Sequence, residues 1–460
     1  MKIGIAVDRQ DFFYDIHSLV KSFFPEDEVS VFVKDDPDRD SLDYDRIIPV
    51  HIPEYEKRID GKNLLKRSLY ESLSADTGKI LPWGTLSGIR PTKIPMKLLH
   101  EGRTDDEIRN AMKEKYFVSE GRIDLSIEIA KRERKILEGI PEGWNLYAGI
   151  PFCPSICLYC TFSSSPIGAW KEKTRTYLEA LIKELEAIRE MQAGRKLNTI
   201  YIGGGTPTSL SPEELDLLLD RIDALFPTEQ LLEYTVEAGR PDSITEDRLK
   251  VLRKHPVSRI SVNPQTMNRK TLDIIGRRHT AEDTVRAFCM ARKAGFENIN
   301  MDIIMGLPEE GMPEVEHTLS EIEKLKPDSL TVHSLAVKRA SRLRTEREEY
   351  ENLTFRNSEE IMELTRQSAE RMGLHPYYLY RQKNMKGNLE NTGYAAEGKE
   401  GLYNMLIMEE TADILAAGAG ASTKFVHPDG RIERVVNPKD VRTYLTRIDE
   451  LIEKKRNGEK

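Results

Sequence analysis

Three of the four cysteines in this 460-residue chain, Cys153, Cys157 and Cys160, share one short loop at the spacing C-x3-C-x2-C. They follow Leu146 to Ile150, an apolar approach that predicts a buried strand. Thiolates are soft ligands, suited to iron–sulfur clusters, zinc or copper(I). A closed zinc or cluster site takes four protein ligands. Three cysteines leave one metal corner open, and that makes sense if a small molecule completes the coordination. The alternative is a structural zinc knuckle with a fourth ligand, such as a histidine, from elsewhere in the chain. Either way the fold must hold a strand end against a metal loop.

The rest of the chain is ordinary for a soluble, helix-rich protein of two or three domains. Hydrophobic residues make up 39%, charged residues 32%, and the net charge is −8. There is no basic footprint, so nucleic acid is not an expected partner. No apolar run approaches the roughly 20 residues of a membrane span. The start, MKIGIAVDRQ, does not read as a secretory signal. Four cysteines without a disulfide-like framework fit a reducing, cytoplasmic setting. Cys289 lies in the amphipathic run Asp283 to Gly295 and reads as a plain buried thiol.

Three regions are expected. Residues 1–143 read as a small α/β lobe followed by helices. KIGIAV, EVSVFV and RIIPVHI are its strand candidates, and KDDPDRDSLDYD is a solvated acidic loop. The loop LPWGTLSGIRPTKI holds Trp83, Arg90 and Lys93. It reads as a packed connector with a tryptophan anchor, or as a lid that contacts an anionic substrate. Residues 144–345 alternate six strand-like runs with helical ones, which predicts parallel βα units. Residues 346–460 read as a mostly helical region on the substrate side. There Tyr377, Tyr378 and Tyr380 with Arg381 and Lys383 combine aromatic faces with positive charge, and GAGAS at 418–422 is either a tight turn or a ligand approach.

Within the middle region, four further motifs fall at or soon after predicted strand ends. YIGGGTPTSL places Gly203, Gly204 and Gly205 before Thr206, where backbone can approach a ligand. VEAGRPDSIT ends a strand on Glu237. RISVNPQTMNRKTLDIIGRRH carries Gln265, Arg277 and His279. INMDIIMGLPEE sets Asp302 inside an apolar strand, a costly place for a carboxylate unless it is paired or ligand-bound.

The cysteine spacing, with Tyr159 before the last cysteine, resembles the cluster motif of radical S-adenosylmethionine (SAM) enzymes. The GGGTPT run and the motifs after it resemble the tetrapyrrole-linked branch of that superfamily, over roughly residues 145–430. That branch includes oxygen-independent coproporphyrinogen III oxidase, the haem chaperone HemW and anaerobic haem-degrading methyltransferases. The similarity is greatest to a coproporphyrinogen dehydrogenase-like subgroup that has an extra N-terminal lobe.

The resemblance implies a partial (β/α)6 barrel with its active site at the carboxyl ends of the strands. It implies that Cys153, Cys157 and Cys160 hold a [4Fe–4S] cluster whose fourth iron takes SAM. Tyr147, Gly204, Gly205, Thr206, Glu237, Gln265, Arg277, Asp302 and Ala336 are the SAM contacts that carry over. The implied reaction is oxidative decarboxylation of coproporphyrinogen III to protoporphyrinogen IX, with flavodoxin or ferredoxin as electron donor. A haem chaperone and a haem-degrading methyltransferase are the alternatives. Two departures stand out. Glu237-Ala238-Gly239-Arg240-Pro241 is one residue longer than the E-A-x-P of relatives. Phe162 stands where the established oxidases have another cysteine, as it does in HemW-like chaperones.

Overall fold

The computed structural model describes residues 1–34, 43–337, 341–346, 350, 352–382 and 385–458, without the side chains of Arg344 and Lys386. The chain forms two compact units: residues 1–134 with 379–391, and residues 135–378 with 392–460. Most of the acidic loop 34–45, and Lys383, lie outside the described residues.

In the first unit, β1 (Lys2–Val7), β2 (Glu28–Val33) and β3 (Arg46–Val50) form a parallel sheet in the order β2-β1-β3. Ile3, Ile5 and Val7 pack against Ile16, Leu19, Val20 and Phe23 of the helix Phe13–Phe23, and against Leu65, Leu69 and Leu73 of the helix Arg58–Thr77. Trp83 is fully buried and donates its indole N–H to Glu390 Oε2 at 2.8 Å, so it is a packing anchor. Arg122 Nε lies 3.1 Å from the same carboxylate oxygen. Arg381 is buried too. It lies over the Trp83 ring and donates to the carbonyls of Leu86 and Asn388. Nη2 also reaches Asn388 Oδ1 at 2.5 Å, so the positive charge that the sequence places on this stretch is, at Arg381, buried and directed inside this unit.

The second unit is built on one sheet. Its strands are β4 (Trp144–Ile150), β7 (Leu197–Gly204), β8 (Glu233–Glu237), β9 (Arg259–Ser261), β10 (Ile299–Met305), β11 (Ser329–Ser334), β12 (His375–Tyr380), β13 (Asn391–Ala395), β14 (Asp413–Ala417), β15 (Ser422–Val426) and β16 (Ile432–Val436). Two short strands, β5 (Phe152–Cys153) and β6 (Ser165–Pro166), pair separately. The ladder order is β12-β13-β11-β10-β9-β8-β7-β4-β14-β15-β16. The six predicted strands therefore stand side by side, in sequence order and parallel. Among the described residues the ladder is open at both edges.

Helices alternate with these strands and start on local signals. Ser211 and Thr280 form capping boxes with Glu214 and Asp283, and Pro212 takes the first helical position. The helix Pro212–Leu225 buries Leu215, Leu218, Leu219 and Ile222, a single stripe at helical spacing. Right-handed crossovers between consecutive neighbours put all such helices on one side of the sheet. The strand residues of that side are apolar and fully buried: Leu146, Ile200, Ile202, Val236, Ile260, Met301, Ile303, Leu330 and Val332.

The region after 345 is mixed rather than mostly helical. The helices Glu359–Arg371, Leu402–Glu409, Val441–Thr446 and Ile448–Gly458 share it with five strands. Those strands are short, and their burial comes from neighbours distant in sequence, so local periodicity understates them. Cys289 is exposed, contrary to its reading as a buried thiol. It falls outside the buried stripe Thr284, Ala287, Phe288 and Ala291 of its helix.

Candidate functional site

Side chains alternate across a strand, so the register of the ladder decides which residues share a face. Asn145, Tyr147 and Gly149 of β4 pair with Thr199, Tyr201 and Gly203 of β7. Thr199 and Tyr201 pair with Glu233 and Thr235 of β8, and Thr235 and Glu237 with Arg259 and Ser261 of β9. Ser261 pairs with Asn300 of β10, and Asn300 and Asp302 with Ser329 and Thr331 of β11. One face of the parallel sheet is thus polar and aromatic, the reverse of the helix-covered face. Parallel sheets are commonly apolar on both faces. A polar face of this extent marks where the sheet meets something other than its own helices.

The cysteine loop leaves the carboxyl end of β4. Leu158, between the second and third cysteines, fixes it by packing with Leu272, Ile275, Ile304, Leu307, Leu335 and Leu343. Cys153 and Cys157 are buried and Cys160 is half-buried. Burial pushes the Cys153 thiol up to about 11, and the two neighbouring cysteines add to the effect. Burial likewise raises the Cys160 thiol. Among the described residues the three sulfur atoms are not all within 4.8 Å of one another; Asp216, Asp220 and His255 are the one trio that is.

The glycine run at the end of β7 crosses beneath this loop. Gly205 donates its N–H to Ile150 O at 2.7 Å, and Thr206 donates to Phe152 O at 2.8 Å. A Cβ on Gly205 would meet Phe152 O at 2.7 Å and Cys153 Sγ at 3.0 Å, so only glycine lets the two segments approach. Gly204 has φ 110, and a Cβ there would lie 3.3 Å from the Tyr147 hydroxyl. Thr206 Oγ1 lies 3.5 Å from Cys153 Sγ. Three expected contacts, Gly204, Gly205 and Thr206, thus adjoin the first cysteine and Tyr147.

Two carboxylates lie on the polar face with opposite electrostatics. Burial pushes Glu237 up to about 7, and the Asp302 charge adds to this, while the hydrogen bond from Tyr201 Oη at 2.5 Å opposes it. For Asp302 burial acts in the same sense, but the hydrogen bonds of His333, Asn300 and Thr331 outweigh it and hold the carboxyl below its ordinary value. Asn300 Nδ2 donates to Asp302 Oδ1 at 2.7 Å, and His333 Nε2 lies 3.7 Å from Oδ2. Near neutral pH the face therefore holds one carboxylate that is charged and one poised to exchange a proton.

Gln265 takes φ 66 and bridges to β10: its N–H donates to Asp302 O and its carbonyl accepts from Ile304 N. Its side-chain oxygen is buried without a partner. Asn263 accepts the Asp302 N–H on its side chain at 3.2 Å and the Arg277 Nη1 on its carbonyl at 2.6 Å. Arg277 also lies within interaction distance of Cys157 and Tyr159. His279 is buried, and burial together with Arg277 holds it down to about 3, so it is neutral and is no proton donor at neutral pH. Ala336 sits two residues beyond β11, half-buried.

Two aromatic residues escape a motif search. Tyr201 stacks on Tyr147 with ring centroids 6.2 Å apart, and Tyr403 stacks on Tyr201 at 4.5 Å. Tyr201 heads the YIGGGTPTSL run, and the strand register sets it opposite Tyr147. Tyr403 comes from the helix Leu402–Glu409, whose first two N–H groups are held by the Glu233 carboxylate. Nothing local in the sequence announces that docking.

Residues 147–322 match the family model of the radical SAM superfamily. The chain is 42% identical over 404 residues to the oxygen-independent coproporphyrinogen-III oxidase-like protein HemZ of Bacillus subtilis (strain 168), covering 86% of this chain and 80% of that one. It is 33% identical over 316 residues to the haem chaperone HemW of the same organism, covering 66% and 76%. Among solved structures it is similar to coproporphyrinogen III oxidase (HemN) from Escherichia coli. The TM-score is 0.53 and the identity 22%, over 69% of this chain and 71% of the other. That likeness bears on the fold.

Proposed function

The chain belongs to the radical SAM superfamily, in the branch of the oxygen-independent coproporphyrinogen oxidases and HemW, and on that premise we propose that it oxidatively decarboxylates two propionates of coproporphyrinogen III to vinyls, giving protoporphyrinogen IX. The observation that carries this is the cysteine trio in the loop at the carboxyl end of β4, beside a polar, carboxylate-bearing sheet face. The family implies a [4Fe–4S] cluster and SAM. In this reading the six parallel strands make the partial barrel, and Cys153, Cys157 and Cys160 hold three irons. The group, when bound, would supply one-electron reductive cleavage of SAM and so hydrogen-atom abstraction at the propionate β-carbon; loss of carbon dioxide and of one electron to an external acceptor would complete each vinyl.

The chain's own residues bind, orient and shield. Gly204, Gly205 and Thr206 line the methionyl end of SAM, with the Gly205 and Thr206 N–H groups already held by Ile150 O and Phe152 O. Asp302, charged and set by His333 and Asn300, takes the ribose hydroxyls. Glu237, fixed by Tyr201, accepts from an ammonium or hydroxyl and ionises as it does so. Arg277, Gln265, Tyr147 and Ala336 complete the SAM pocket. The tyrosine stack walls its inner side and excludes water. A flavodoxin or ferredoxin in the cytoplasm is the proposed donor. Among the described residues no helix is long and apolar enough to cross a membrane.

A second reading, a haem carrier, has one specific support. Phe162, standing where the established oxidases have a cysteine, is 72% exposed beside the cluster loop. The deciding experiment is anaerobic: reconstituted protein, SAM, a strong reductant and coproporphyrinogen III. Deoxyadenosine and vinyl-bearing porphyrin should rise together, and replacing Cys157 with Ala should abolish both. Deoxyadenosine formed without porphyrin conversion refutes the substrate. Neither product, with tight haem binding, favours the carrier.

A further inference from the structure

Arg240 has no role in the mechanism above, yet its guanidinium is buried at the cysteine loop with every donor directed. It is 3% exposed. Nε donates to Asp242 Oδ1 at 2.9 Å, and Nη2 donates to Asp242 Oδ2 at 2.8 Å and to Ser155 Oγ at 3.1 Å. Nη1 donates to Ser155 O at 3.2 Å and to Cys157 Sγ at 3.5 Å. A guanidinium carries five N–H groups in a rigid fork, and here each has one acceptor. Two serve the carboxylate that fixes its plane, and three serve the cysteine loop. The loop is braced from its far side as well, where Ser155 Oγ donates to Gly276 O at 3.0 Å. Asp242 lies in the short helical turn Pro241–Ser243, which Arg240 precedes and which Ser243 ties back by donating to Arg240 O at 2.7 Å.

Simple packing does not call for this arrangement. Burying an arginine is expensive unless its donors are used, and a neutral side chain would fill the segment without that cost. The geometry fits a fixed positive charge and an N–H donor at one cysteine sulfur. We propose that Arg240 is a positioning residue that orients Cys157 and, through an N–H···S bond to that sulfur, raises the reduction potential of the cluster the loop holds. Charge and hydrogen bonds at the sulfurs are the levers by which a protein sets that potential, because both favour the more negative, reduced cluster. The inference rests on the cluster assignment made above.

The test is an anaerobic redox titration of the reconstituted full-length protein without SAM, followed by the electron paramagnetic resonance of the reduced cluster. Iron per chain is measured in parallel. Arg240→Gln should take up iron as the parent does, with a midpoint shifted to more negative potential and an altered spectrum. Arg240→Lys, which keeps the charge but not the fork, should shift the same way by less, and it carries the test alone if the glutamine variant does not fold. Midpoints and spectra equal to the parent's at equal iron content overturn the proposal and leave Arg240 a purely structural residue. A parent protein that binds no cluster would instead remove the assignment on which the inference stands.

Discussion

Replacing Lys455 with Met should destabilise the second unit and loosen the cysteine loop together. Lys455 and Glu184 are both fully buried. Lys455 Nζ donates to Glu184 Oε1 and, at 2.9 Å, to Asn437 Oδ1. Glu184 also accepts from Asn437 Nδ2 at 2.9 Å, Tyr444 Oη at 2.7 Å and the Gly418 N–H at 2.8 Å. Removing the lysine leaves a buried carboxylate with three neutral donors and no counterion. Breaking a buried pair from one side costs about 3–5 kcal/mol, and the donors that remain place this case near the low end. Glu184→Gln added to Lys455→Met removes the stranded charge and should recover about 2 kcal/mol.

The network holds Gly418, which has φ 104 and lies against Gly149 O, and through it Gly420, where a Cβ would meet Ser163 Oγ at 2.0 Å. Ser163 is three residues past Cys160. The assay is urea unfolding of the parent and the two variants by near-ultraviolet circular dichroism, with the rate of iron loss to a chelator as the second readout. Lys455→Met should shift the midpoint down and shed iron faster. A midpoint cost below about 1 kcal/mol, or a double variant worse than the single one, would refute the account.

Three further outcomes are expected. Glu237 has its folded pKa raised to about 7 from 4.5, so the empty protein should lose stability as pH rises through that window; Glu237→Gln should flatten the profile of melting temperature against pH, and an unchanged slope counts against the assignment. Tyr201→Phe deletes the hydrogen bond that favours ionised Glu237 and should weaken SAM binding about tenfold by calorimetry, a result an equal dissociation constant would contradict. Gly205→Ala must displace backbone at Phe152 and should cost about 1–3 kcal/mol with loss of iron uptake, whereas Gly168→Ala, with nothing within 4 Å, should match the parent in both.

Much of this site is legible in one dimension because its chemistry is local. Three cysteines on one loop need no partner strand to be recognised, and a glycine run after an apolar strand already states that backbone must pass close by. Asp302 was conspicuous for the same reason, a charge in an apolar run. The six parallel strands and their order also follow from alternation with amphipathic helices, since right-handed crossovers leave few other arrangements. What the sequence could not supply was which face each residue joined and which distant groups met there. Register placed Tyr201 beside Tyr147 and Glu237, and a helix two hundred residues away brought in Tyr403. Arg381 reads in sequence as part of an aromatic, positively charged stretch, whereas the fold buries it with two of its nitrogens on Leu86 and Asn388. Arg240 looked like a loop residue until the turn at Pro241 aimed it at Cys157. Pattern fixes residue type and period, which depend on near neighbours. The direction of a long polar side chain depends on where its few hydrogen-bond partners lie in space, and only the folded chain decides that.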